Sequence, residues 1–133
     1  MIRGLWAAIG LLTTIPVPAR LLGEEPIPPR AMLWWFVPVG ALIGGLAAGV
    51  TTLAWHVLPW SAAAAMGVIA LVALSGGLHL DGLADTADGL AARGDKERTT
   101  AVMRDPAVGA IGAAAVMMVL LIEVTALALA VQR

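Results

Sequence analysis

The chain contains no cysteine, which excludes a disulfide framework, a thiolate metal site and a cysteine nucleophile. Charge is scarce as well, since only 13% of residues are Asp, Glu, Lys or Arg, against about a quarter in a soluble domain. With 60% apolar residues and a mean hydropathy of +0.92, the sequence reads as an integral membrane protein. Nothing points to nucleic acid: there is no basic stripe, and the five Trp are not interleaved with Lys or Arg. A net charge of −1 indicates no other class of partner. The expected fold is all-α, a polytopic membrane bundle with crossings at about 37–57, 61–80 and 107–131, a polar loop over 81–106 and a short N-terminal interfacial helix.

Chemistry is concentrated in residues 76–90, Gly-Gly-Leu-His-Leu-Asp-Gly-Leu-Ala-Asp-Thr-Ala-Asp-Gly-Leu. In a helix, Asp81, Asp85 and Asp88 stand at i, i+4 and i+7, within roughly 60° of one face. Such a stripe opposes helix formation by a few tenths of a kcal/mol per pair in water. Beside a low-dielectric membrane the repulsion is larger, about 4 kcal/mol for charges 4 Å apart at an effective dielectric of 20. Something positive is required there. Mg²⁺ suits it, because this ion prefers oxygen ligands and is commonly held by one or two carboxylates with substrate phosphates supplying the rest. A solvated helix end that happens to carry three Asp is the bland alternative. Gly82 and Gly89 cost about 1 kcal/mol each relative to Ala in a helix, and local rule-breaking of this kind marks functional sites.

The stretch GGLHLDGLADTADG resembles the signature of the cobalamin synthase family, the adenosylcobinamide-GDP ribazoletransferases. Two further stretches agree with it in the same order, Leu-Leu-Thr-Thr-Ile-Pro-Val-Pro at 11–18 and Met-Arg-Asp-Pro-Ala-Val-Gly-Ala-Ile-Gly at 103–112. Leu80 departs from the pattern, standing where many members carry an acid, so no fourth carboxylate is expected. The resemblance implies a membrane enzyme that joins GDP-activated adenosylcobinamide to α-ribazole or its phosphate and releases GMP. Family members generally continue through further membrane segments, so this chain is expected to correspond to the N-terminal half.

Under that resemblance Asp81, Asp85 and Asp88 would hold one or two Mg²⁺, with Asp81, Asp85 and His79 as the catalytic set. His79 would take the hydroxyl proton, imidazole being the side chain that ordinarily titrates near neutral pH; a boundary hydrogen bonder is its bland reading. Arg104, Asp105 and Thr86 would bind substrate. Their structural readings are a topology-setting charge, an N-cap followed by Pro106 at the first helical position, and a turn filler. Other membrane phosphotransferases, acting on CDP-linked alcohols or polyprenyl diphosphates, would also place Asp at helical spacing near an interface. A transporter would make more of Glu123, an ionisable residue inside the last apolar run.

Elsewhere, residues 4–15 are apolar but too short to cross a bilayer. They read as an interfacial helix ended by Pro-Val-Pro, with a signal peptide as the rival reading. Residues 18–30 read as a connector, and 91–106 as a solvated loop. Gly40-x-x-x-Gly44 and Gly45-x-x-x-Gly49 allow close helix packing, internal or in a homo-oligomer. Leu58-Pro59-Trp60 reads as a tight helical hairpin, with His56 as an interfacial anchor. With these crossings Arg3, Arg20, Arg30, Arg93, Lys96, Arg98 and Arg104 fall on one side and Arg133 on the other, so the positive-inside rule makes the Asp side cytoplasmic.

Overall fold

A 27-residue helix carries the first half of the chain. The computed structural model describes residues 2–92 and 94–132; Arg93 and Arg133, both used in the charge count, lie outside the described residues. Among the described residues every regular element is a helix, and they form two units, Met1–Gly76 and Gly77–Arg133.

The first unit holds α1 (Ile2–Leu12), α2 (Ala19–Leu22), α3 (Pro29–Trp55) and α4 (Trp60–Ser75). Helix α3 starts at Pro29, well before the expected residue 37, because Pro28 is the N-cap and Pro29 occupies the first turn, where a proline needs no N–H donor and has its φ already set. At 1.5 Å per residue it is about 40 Å long, more than the roughly 30 Å hydrocarbon core. Val39, Ile43, Ala47 and Thr51 repeat every fourth residue as its buried ridge. The buried Thr51 hydroxyl donates to the Ala47 carbonyl at 3.0 Å, so no polar group is orphaned there. The four GxxxG glycines lie elsewhere: a Cβ at Gly40, Gly44, Gly45 or Gly49 would meet nothing within 4 Å. Packing inside this unit does not use them.

The close approach is made by Gly4 of α1, where a Cβ would run into the Ala31 carbonyl of α3. Beside it, Arg3 donates through Nε to the Leu22 carbonyl at 2.6 Å and through Nη2 to the Glu25 carbonyl at 2.5 Å. A residue counted as a topology charge therefore also ties down the connector, which contains α2 and is not wholly irregular. The hairpin at 56–59 is present, and α4 packs back on α3.

Helix α4 ends at Ser75, short of the expected crossing to residue 80, because Gly76 and Gly77 take left-handed φ of 67° and 72°, a conformation that glycine adopts at little cost. The Thr-Thr-Ile-Pro stretch finishes this helix end. The Thr14 N–H donates to the Leu74 carbonyl at 2.9 Å, and the Thr14 hydroxyl lies 3.2 Å from the Ala73 carbonyl. Thr14→Val keeps the side-chain shape and the backbone bond; it is expected to cost about 0.5–1 kcal/mol, read as a small fall in melting temperature. An unchanged melt would mean that the hydroxyl contributes nothing.

The second unit holds α5 (Leu78–Ala91), α6 (Lys96–Val102) and α7 (Ala110–Val131). The loop expected over 81–106 is corrected in its first part: residues 81–91 belong to α5, so the motif is helical although its like charges at i, i+4 weigh against a helix. The polar stretch after it is not a plain loop, since Asp95 caps α6 by accepting from the Arg98 N–H at 2.9 Å. Asp105 is not the N-cap of the last crossing: its Oδ1 accepts from the Ala107 N–H at 2.9 Å in a local turn, and α7 begins only after Gly109. Helices α3 and α7 are long and apolar enough to cross a membrane. The 16 residues of α4 fall short of a full crossing unless the apolar start of α5 is counted with them across the glycine break.

Candidate functional site

Helix α5 brings Asp81, Asp85 and Asp88 to one face, but the three carboxylates do not share one environment. Asp81 is exposed, while Asp85 and Asp88 are half-buried. Among the described residues no hydrogen bond engages the Asp81 or Asp85 carboxylate, whereas both oxygens of Asp88 are taken. Oδ2 accepts the Gly109 N–H at 2.7 Å and Oδ1 accepts the Gly112 N–H at 2.8 Å. These are N–H groups at the start of α7, which otherwise has no partner for them because the N-cap residue, Gly109, has no side chain. Asp88 caps α7 from another helix. Residues 109–112 are where the helix dipole and free N–H groups favour an anion, and Asp88 supplies it.

The glycines follow from that seat. A Cβ at Gly109 would stand 2.5 Å from Asp88 Oδ1; one at Gly112 would overlap the carboxylate and lie 2.7 Å from the Ala84 carbonyl. Ala84 and Gly112 are buried where α5 meets α7. On the next turn of α5 a Cβ at Gly89 would lie 2.6 Å from Met103 Cγ, so the Met103 side chain rests on bare backbone.

The remaining predicted residues divide between free and occupied. His79 is exposed on the first turn of α5. Thr86 is exposed too, but its hydroxyl donates to the Gly82 carbonyl at 2.6 Å, so it offers a ligand only its lone pairs. Arg104 is exposed next to Met103 and lines a shallow depression of about 370 Å³ with Lys96, Glu97, Thr100 and Ala101. Lys96, which the sequence suggests only as a topology charge, is a second cation lining this depression beside Arg104; the four-residue spacing of Lys96, Thr100 and Arg104 is the signal for it. Asp105 is occupied in its local turn. Glu123 is half-buried along α7. The larger groove of the first unit, about 750 Å³ and lined by Trp6, Leu11, Ile15, Val17 and Ile27 among others, contains none of the predicted residues.

A divalent cation can be tested against this donor set. Among the described residues no group of three acidic or imidazole side chains is placed to hold one, and Asp88 is committed to α7, so a three-carboxylate cage does not fit. Asp81 and Asp85 fit a looser arrangement. They stand one helical turn apart, about 5–6 Å between Cβ atoms, and Mg²⁺ is ordinarily held by one or two carboxylates plus phosphate and water.

The family model described as cobalamin-5-phosphate synthase matches residues 4–133. Among curated relatives, the adenosylcobinamide-GDP ribazoletransferase of Albidiferax ferrireducens is 43% identical over 96% of this chain and 49% of its own length. Those of Geotalea daltonii and Klebsiella pneumoniae are 42% and 40% identical, over 96% and 93% of this chain and 51% of their own lengths. The chain thus spans about half the length of the curated relatives it matches. No solved structure matches it. A family match over almost the whole chain, joined to the Asp-bearing helix and the two further stretches that agree with it, shows that this protein belongs to the cobalamin-5-phosphate synthase family.

Proposed function

We propose that the chain carries the cation-binding part of a membrane ribazoletransferase, which joins GDP-activated adenosylcobinamide to α-ribazole or its 5′-phosphate and releases GMP. The observation that carries this reading is the pair Asp81 and Asp85, unengaged on one face of α5, in a chain 43% identical to a protein of that name. The hydroxyl oxygen of the ribazole attacks the phosphorus attached to the cobinamide, and the phosphoanhydride bond to GMP breaks. Mg²⁺ held at Asp81 and Asp85 would supply charge neutralisation at the pyrophosphate. The protein itself contributes mostly position and electrostatics. His79, exposed at the start of the same helix, takes the hydroxyl proton, and Arg104 with Lys96 offers two cations to phosphate oxygens. The excess of Lys and Arg on this side supports a cytoplasmic face, where nucleotide-linked substrates and Mg²⁺ are available.

The CDP-alcohol, polyprenyl and transporter alternatives gain nothing from the comparisons, in which the named relatives are all ribazoletransferases. Membrane vesicles test reaction and orientation together. Inverted vesicles, with their cytoplasmic face outward, should release GMP from externally added GDP-activated cobinamide and ribazole only with Mg²⁺, and right-side-out vesicles should not. Equal rates in the two preparations would overturn the orientation, and turnover in excess EDTA would overturn the cation.

A further inference from the structure

We propose that Asp88 is a positioning residue that fastens the start of α7 to α5, and with it the segment carrying Arg104, and is not a third ligand to the cation. The clasp stands on geometry alone; only what it positions, the Asp81 and Asp85 pair, rests on the function proposed above.

Each Asp88 oxygen already accepts a backbone N–H, at 2.7 and 2.8 Å, in charge-assisted bonds that are stronger than neutral ones. A cation drawn to the same carboxylate would face those two N–H dipoles and the positive end of α7, an arrangement that repels it. The stripe therefore meets its need for positive charge in two ways. At Asp88 the partner is a helix N-terminus, and one and two turns earlier, at Asp85 and Asp81, the carboxylates are left for an ion.

The clasp also closes a loop. Residues 94–112 return to α5, moored at one point by Met103 on Gly89 and at the other by Gly109 and Gly112 on Asp88. Arg104 adjoins the first mooring and lies five residues before the second. Asp88 acts on the reaction by fixing where that guanidinium stands along α5. Glycine at 109 and 112 is required because a Cβ at either would displace the carboxylate.

The experiment uses the protein in lipid nanodiscs, with Mn²⁺ as an EPR-visible stand-in for Mg²⁺ and hydrogen exchange of the Gly109 and Gly112 amides as the second readout. In the wild type those amides should exchange slowly, and saturating Mn²⁺ should not speed them. Asp85→Asn should weaken Mn²⁺ binding by about tenfold or more and leave amide exchange unchanged. Asp88→Asn should change Mn²⁺ affinity by less than about threefold while accelerating the two amides by about tenfold, the scale of a lost helix cap. Asp88→Asn weakening Mn²⁺ as much as Asp85→Asn would overturn the proposal. So would faster wild-type exchange on adding Mn²⁺, a result that decides the matter even if Asp88→Asn does not fold. If the wild type bound no Mn²⁺ yet kept slow exchange at 109 and 112, the cation reading would fail and the clasp would stand.

Discussion

Asp85→Asn is expected to lower Mg²⁺-dependent transfer by about 10²–10³-fold, the range seen when one well-placed electrostatic contact to a transition state is removed, with little change in melting temperature. Both halves of that expectation follow from the environment of the side chain. Asp85 is half-buried in the middle of α5 and no hydrogen bond among the described residues engages its carboxylate, so its replacement by an isosteric amide removes charge without breaking a fold contact. Its charge is opposed by Asp81 one turn away, and under the proposed function a cation would compensate it. The measurement is GMP release across a Mg²⁺ titration together with a thermal melt. Wild-type rates in the variant would end the metal-pair mechanism; a large fall in melting temperature would mean instead that Asp85 holds the fold.

Gly4→Ala is expected to destabilise the first unit by about 2–3 kcal/mol, at the upper part of the usual overpacking range. The added methyl would collide with the Ala31 carbonyl, which is backbone of α3 and cannot rotate aside as a side chain would. Helix α1 would have to lift, drawing Arg3 from the Leu22 and Glu25 carbonyls and loosening the connector. Gly44→Ala is the control: a Cβ there meets nothing within 4 Å, so the change should be neutral or slightly favourable through helix propensity. Thermal unfolding and limited proteolysis before residue 28 would separate the two. A Gly4→Ala protein as stable as wild type would show that α1 does not sit against α3 as described.

That pair of glycines illustrates how far the sequence could be read. GxxxG is a pattern visible in one dimension, and it points to Gly40, Gly44, Gly45 and Gly49, whereas the closest backbone approach falls on Gly4, whose only signal is the weaker small-xxx-small pair it forms with Ala8. The same limit applies to caps. Asp105-Pro106 has the local form of a helix start, yet the carboxylate that serves α7 comes from Asp88, 21 residues before Gly109. A Cβ collision and a cap supplied from another helix depend on which segments meet, and spacing within one segment does not encode that. Local signals did better where local physics decides. The short first helix and the hairpin before Trp60 both appear, because apolar length and a Pro-bearing turn each act within a few residues, whereas the helix over 78–91 replaces the first part of an expected loop.

The sequence by itself determined that this is an all-helical membrane protein with its acids gathered on one helical face, since hydropathy and the 3.6-residue period are properties of the chain alone. It also carried the family, through motifs that lie in contiguous stretches. What only the tertiary structure decided was the unequal surroundings of the acids on that face. Three aspartates that are equivalent by spacing become unequal once the start of α7 places two N–H groups against Asp88 and leaves Asp81 and Asp85 without such partners. The reason is that a carboxylate takes its role from the donors around it, and those donors are brought there by the chain folding back on itself.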